Sequence, residues 1–158
     1  MTGPHGGLPS RLAPRNAAPQ QGGRSARFDP LTDPRRPLRL ELAGLRHQVV
    51  GVTDCLIAGV DGLLILHDSR SPGDPPHDVA AMAAAAHGIS RTCGSALGQG
   101  QFQEVTIRNR EGCLAVYGIG DLALLAVVGD GMINIARLHL EARPVLGRLA
   151  QMLDLTQL

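Results

Sequence analysis

The sequence predicts an α/β chain of the α+β type, with elements in the order α-β-β-α-β-β-β-α. Three observations carry this. Apolar residues recur at helical spacing over residues 38–49, 78–97 and 135–153. Two short aliphatic runs flank the pair Asp61-Gly62, and three more between residues 102 and 128 are joined by links of only three or four residues.

The first helix rests on Leu38, Leu42, Leu45 and Val49, with Asp33-Pro34 suited to its cap and first turn, against the weakening presence of Pro37 and Gly44. "GVTDCLIAGVDGLLILHDS", residues 51–69, then reads as a β-hairpin, because Asp-Gly supplies the positive φ that a tight turn demands. Leu63, Leu64, Ile65 and Leu66 are apolar at every position, so the second strand is expected to be covered on both faces, most simply by helices. A polar, Pro-rich loop at 70–78 leads into the second helix, which runs to about Leu97.

The next strands, Phe102–Arg108, Cys113–Gly118 and Leu122–Val128, form an antiparallel meander. Glu104, Thr106 and Arg108 alternate with Val105 and Ile107, a pattern typical of an edge strand, whereas "LALLAVV" is the most apolar and belongs at the centre. Ile135, Leu138, Ala142, Val145, Leu149 and Met152 mark a third helix, with Pro144 inside it inviting a kink.

Residues 1–36 precede this domain, which spans 37–155. Residues 1–37 hold seven of the eleven prolines and six arginines against two acids, Asp29 and Asp33. Such a segment buries too little apolar surface to offset its ordering entropy, so a disordered basic tail is expected.

The second helix is unusual. "DVAAMAAAAHGISR", residues 78–91, packs six alanines around one methionine. On a helical wheel, Val79, Met82, Ala86, Ile89, Cys93 and Leu97 share one stripe, expected to face the sheet, and Ala81, Ala85, Gly88, Thr92 and Ser95 form a second stripe roughly 115° away. A surface helix packed on one side only carries Lys, Glu or Gln outside. Here the outer positions are small, which lets another helix approach closely. No fourth helix is available, so a second copy of the same helix is the expected occupant, two-fold pairing being the commonest oligomeric arrangement.

Composition removes several function classes. All fifteen basic residues are Arg, and without Lys there is no P-loop, Schiff-base or kinase chemistry. Two Phe, one Tyr and no Trp leave little with which to stack nucleic acid bases. Cys55, Cys93 and Cys113 lack metal-ligand spacing and read as reduced core thiols, so neither a metal nor a cofactor is expected. There is no signal-like leader and no long apolar run, which predicts a soluble cytoplasmic protein. As an enzyme the chain offers Ser90 near His87 and His139 near Glu141, without an oriented acid, a G-x-S-x-G elbow or H-E-x-x-H spacing. Asp54, Asp61 and Asp68 sit near hairpin ends, where Asp serves turns. "GQG" at 98–100 and "GDG" at 129–131 lack the strand-to-helix context of a phosphate loop and are expected to be turns.

The segments "GVTDCLIAGVDGLLILHDS", "AAMAAAAHGISRTCGSALGQGQFQEVTI", "GCLAVYGIGDLALLAVV" and "LHLEARPVLGRLAQML" together resemble the roadblock family, which includes dynein light chain roadblock and MglB-like regulators of Ras-like GTPases. The resemblance covers about residues 38–155 and is strongest to short actinobacterial members encoded beside a sensor histidine kinase and a small GTPase. It implies a five-stranded antiparallel sheet with the alanine helix on one face and the terminal helices on the other. It also implies a homodimer in which the alanine helices pair through Ala81, Ala85, Gly88, Thr92 and Ser95, and strand 102–108 continues the sheet across the two-fold through Glu104, Thr106 and Arg108. A Ras-like small GTPase would then meet Ala80, Ala84, His87 and Arg91. The implied function is that of a non-catalytic regulator or adaptor in a kinase and GTPase signalling module. A scaffold for another partner and a small-molecule sensor are the competing functions.

Overall fold

The computed structural model describes residues 32–71, 73 and 75–156. The elements are α1 (Arg36–Gln48), β1 (Val52–Gly59), β2 (Leu64–Ser69), α2 (His77–Ala96), β3 (Glu104–Asn109), β4 (Gly112–Ile119), β5 (Ala123–Asp130) and α3 (Ile135–Thr156). Residues 1–31, most of the expected tail, lie outside the described residues. The five strands form one sheet in the order β2-β1-β5-β4-β3, antiparallel throughout.

Helix α1 buries Leu38, Leu42 and Leu45, the spacing that predicted it. It starts two residues later than the Asp33-Pro34 signal, with Arg35 at the cap position and Pro37 in the first turn. There Pro37 favours the helix, since its missing N–H is one the first turn leaves unpaired in any case. Asp33 instead accepts a hydrogen bond from the Arg35 backbone N–H at 2.9 Å.

The β1–β2 hairpin turns at Gly62, with φ +86°. Asp61 supports it by accepting a bond from the Leu63 N–H at 3.1 Å. Strand β2 is covered by a helix on each face as predicted, with Ile65 and Leu66 in the α1 layer and Leu64 in the α2 layer. Strand β2 is an edge strand with Leu63 exposed beside it and Leu66 alone fully buried. The strands most deeply buried on both faces are β1, through Cys55, Leu56, Ile57 and Ala58, the central β5, through Ala123–Val127, and β4, through Ala115, Val116 and Tyr117. A continuous apolar run identifies a strand, but its place in the sheet depends on which neighbours it acquires. Strand β3 is at the other edge, as its alternation predicted.

The two faces of the sheet carry separate cores. On one, α1 and α3 bury Leu42, Leu45, Leu138, Val145 and Leu149 against Ile57, Tyr117, Leu125 and Val127. Two guanidinium pairs clamp this layer: Arg148 binds Glu41 through two 2.8 Å hydrogen bonds between α3 and α1, and Arg46 of α1 binds Asp68 of β2. Helix α3 runs through Pro144, which is exposed. On the other face, among the described residues, α2 alone contacts all five strands, setting Ala80, Ala83 and Ala86 on Leu56, Ala58, Val116, Leu124 and Ala126.

Candidate interaction surface

The small side chains of α2 are used first against its own sheet. Ala80, Ala83 and Ala86 are its buried residues, and Val79, His87, Ser90 and Gly94 are partly buried beside them. This overturns the expected sheet-facing stripe: the helix is turned by roughly 80° on the wheel. Met82 is 52% exposed, Ile89 69% and Leu97 68%, and Cys93 is exposed as well, so it is not the core thiol expected. The wheel criterion places the largest hydrophobes inward. Here the sheet offers bulk of its own, from Leu56, Val116 and Leu124, and methyl groups fill what is left.

The expected partner-facing residues separate accordingly. Ala80 is fully buried and cannot touch another protein; it supports the helix from below. Ala84 is half-buried beside the hairpin turn, where a Cβ on Gly62 would stand 3.6 Å from its own. His87 and Arg91 line a groove of about 760 Å³ together with Ser95, Phe102, Gly120 and Asp121. The His87 ring meets Phe102 edge-on at 4.8 Å, and Gln101 Nε2 donates to Asp121 at 2.9 Å across the groove wall. Burial, and secondarily the Arg91 charge, holds the His87 pKa below the ordinary imidazole value.

The expected dimer-facing residues of α2 are all exposed: Ala81, Ala85, Gly88, Thr92 and Ser95. Nothing lies within 4 Å of a Cβ added at Gly88. Thr92 Oγ1 donates to the Gly88 carbonyl at 2.9 Å, so its hydroxyl is satisfied inside the helix. On β3, Glu104 and Arg108 are exposed and Thr106 is half-buried. Glu104 Oε1 lies 3.4 Å from His139 Nδ1, and the same nitrogen is 2.9 Å from the Tyr117 hydroxyl. Ile107, on the α2 side of β3, is 42% exposed.

Sequence reasoning missed the exposed apolar set of Met82, Ile89, Leu97 and Ile107. The signal was present: α2 carries more apolar residues than one sheet-facing arc can hold, so some had to face outward. Ile89 and Cys93 also line a groove with residues 99–104, the segment that leads into β3.

The same geometry offers little for catalysis. Among the described residues no group of three or more His, Cys, Asp and Glu side chains is arranged to hold a metal ion. Burial raises the thiol pKa of Cys55 and of Cys113, the opposite of what a nucleophile requires. Of the candidate acid and base groups, Asp68 pairs with Arg46, Asp61 caps a turn, Glu141 pairs with Arg137 and His139 is engaged by Tyr117 and Glu104. Of the Gly-rich segments, residues 98–100 form a turn, with Gly98 and Gly100 at φ of +64° and +86°. Gly129 and Asp130 instead end β5, and only Gly131 enters the turn that follows, where Asp130 accepts a bond from the Met132 N–H.

The Roadblock/LC7 domain model matches residues 38–129, from α1 to the end of β5. The chain belongs to the Roadblock/LC7 family. No curated protein matches it. Solved structures do, including a Roadblock/LC7 domain from Streptomyces avermitilis, 23% identical with a TM-score of 0.68 over 73% of this chain and 97% of that one. The gliding protein MglB from Thermus thermophilus is also 23% identical, with a TM-score of 0.68 over 76% of this chain and 90% of its own. MglB of Myxococcus xanthus, 13% identical, has a TM-score of 0.67 over 75% and 95%. In this Roadblock/LC7 domain the three helices and the five-stranded antiparallel sheet stand as the sequence predicted, two helices on one face and one on the other. Among its described residues no helix is long and apolar enough to cross a membrane.

Proposed function

We propose that this Roadblock/LC7 domain is a non-catalytic homodimer that regulates or adapts a Ras-like small GTPase through paired α2 helices. The observation that carries this is the state of α2: it lies alone on its face of the sheet, with Met82, Ile89 and Leu97 turned outward around a small-residue ridge. Contiguous exposed apolar residues of this kind mark an interaction surface. The free edge of β3 beside them gives a second copy both a strand to pair with and a helix to pack against.

His87 and Arg91 line a groove that borders that ridge at Ser95 and opens away from it toward the turn at Gly120. That leaves a solvent-facing surface on each protomer for the GTPase. Such a partner can alter nucleotide turnover by ordering or holding the switch segments, with no phosphate site of its own. The similarity in fold to MglB proteins supports the same assignment.

Binding of the full chain to Ras-like small GTPases, loaded in turn with GDP and with a non-hydrolysable GTP analogue, tests this function. Preference for the triphosphate form is expected, and the hydrolysis rate measured in parallel separates regulator from adaptor. Failure to bind either form by an intact dimer would move the function to a scaffold for another partner, with a sensor histidine kinase the first to test.

A further inference from the structure

Among the described residues, strand β3 is hydrogen-bonded on one side only, by β4. The two pair in the register Glu104↔Tyr117 to Asn109↔Gly112, and continuing it sets Gln103 opposite Gly118, whose N–H donates to the Gln103 carbonyl at 3.1 Å. Directly opposed antiparallel residues alternate between hydrogen-bonded and non-bonded pairs. Gln103, Val105, Ile107 and Asn109 therefore aim their backbone groups at β4. Glu104, Thr106 and Arg108 aim theirs at the open edge.

A second copy of β3 running antiparallel along that edge must set outward-pointing residues against outward-pointing residues. Centring the two-fold on Thr106 does so with all three. Glu104 then faces Arg108 of the second copy, Arg108 faces its Glu104, and Thr106 faces Thr106. On the α2 side, Val105 faces Ile107 of the second copy, covering a side chain that is 42% exposed in the single chain. Directly opposed charges of opposite sign and β-branched pairs are both favourable cross-strand neighbours.

The adjacent registers lose this match. A two-fold at Val105 sets Arg108 against Phe102. One at Ile107 sets Val105 against Asn109 and Thr106 against Arg108, and moves the partner of Glu104 to Arg110, in the turn beyond the strand. His139 Nδ1 lies 3.4 Å from Glu104 Oε1 on the α3 face.

We propose that β3 is a self-selecting edge: two copies pair with Thr106 on the two-fold, and the reciprocal Glu104–Arg108 pairs choose both the register and the partner, a second copy of this chain. This rests on the homodimer proposed above and adds what specifies it. Because the two ends of the strand carry charges of opposite sign, a strand lacking that reversal meets like charge or none.

Charge reversal tests this on the full chain. Glu104→Arg alone sets Arg against Arg twice in the homodimer, and Arg108→Glu alone sets Glu against Glu twice. Each is expected to weaken self-association, read by sedimentation, by about tenfold or more, equivalent to about 1.4 kcal/mol. An equimolar mixture of the two restores both attractive pairs, so differently tagged chains should form mainly heterodimers. The double variant E104R/R108E should return to wild-type self-association. Arg108→Glu leaves the Glu104–His139 contact in place, so it keeps the test open should Glu104→Arg fold poorly. Single variants that dimerise like the wild type, or a mixture without heterodimer preference, would overturn the register while leaving the dimer standing. A folded wild-type chain that is monomeric would overturn the dimer itself.

Discussion

The two faces of the sheet are built from different materials. Under α1 and α3 the core is leucine-rich, with Leu42, Leu45, Leu125, Leu138 and Leu149 fully buried and ion pairs closing the layer above it. Under α2 the helix's fully buried residues are alanines, with Val79 packed at the margin, and the larger side chains Met82, Ile89 and Leu97 face outward. The first face is complete within one chain. The second leaves apolar side chains exposed, and the difference shows how one small sheet can combine a stable support with an uncovered apolar face.

The largest expected effect lies on the complete face. Leu149→Ala removes a fully buried side chain from between α3 and the sheet and should lower the unfolding free energy by about 3 kcal/mol in a denaturant titration. Ile89→Ala deletes a similar volume from the other face. Its cost should be small in dilute protein and grow with concentration, because in the proposed dimer it packs mainly on the second copy. A concentration-independent loss of several kcal/mol at Ile89 would erase the contrast.

Ala83→Leu sharpens the comparison from the inside. Ala83 is fully buried between α2 and the sheet, so added bulk should lift the helix and cost roughly 1–3 kcal/mol in the same titration. If Ala83→Leu is neutral, α2 does not sit as close to the sheet as its alanines imply.

Much of the fold was legible because it rests on local chemistry. Asp61-Gly62 announced its turn, the polar alternation of Glu104, Thr106 and Arg108 announced an edge, and the apolar density of residues 122–128 announced the central strand. Two features depend on tertiary context and were not legible. Strand β2 is fully apolar over residues 63–66 yet lies at an edge, because nothing in a strand's own composition says how many neighbours it will have. Helix α2 has two competing apolar arcs, and the choice between them is made by side chains of β1, β4 and β5 distant in sequence. Met82, Ile89 and Cys93 were therefore assigned inward and Ala80 outward, the reverse of what the structure shows.

Smaller effects report on particular α2 residues. Cys93 is exposed beside Ile89, so a maleimide should modify it readily in dilute protein and more slowly as concentration rises, whereas buried Cys55 should stay unmodified in the folded state. His87 should titrate below 6.5 by NMR, and Arg91→Ala should raise its value part of the way back, burial being the larger cause. Because folding favours the neutral ring, the linked stability is present above the unfolded pKa of about 6.5. It is lost as pH falls from there toward the folded value. A His87 value at or above 6.5 would show that its place against Phe102 does not desolvate it.

That α2 is an unfinished surface completed by a second α2 is tested most directly by sedimentation of the full wild-type chain beside Ala85→Arg. Ala85 is exposed at the middle of the small-residue ridge, where a guanidinium side chain disturbs no contact within the chain but blocks close approach of another helix. The wild type should sediment as a dimer, and Ala85→Arg as a folded monomer with an unchanged circular dichroism spectrum. A dimer that survives Ala85→Arg, or a wild-type chain that is monomeric at the same concentration, would contradict the account.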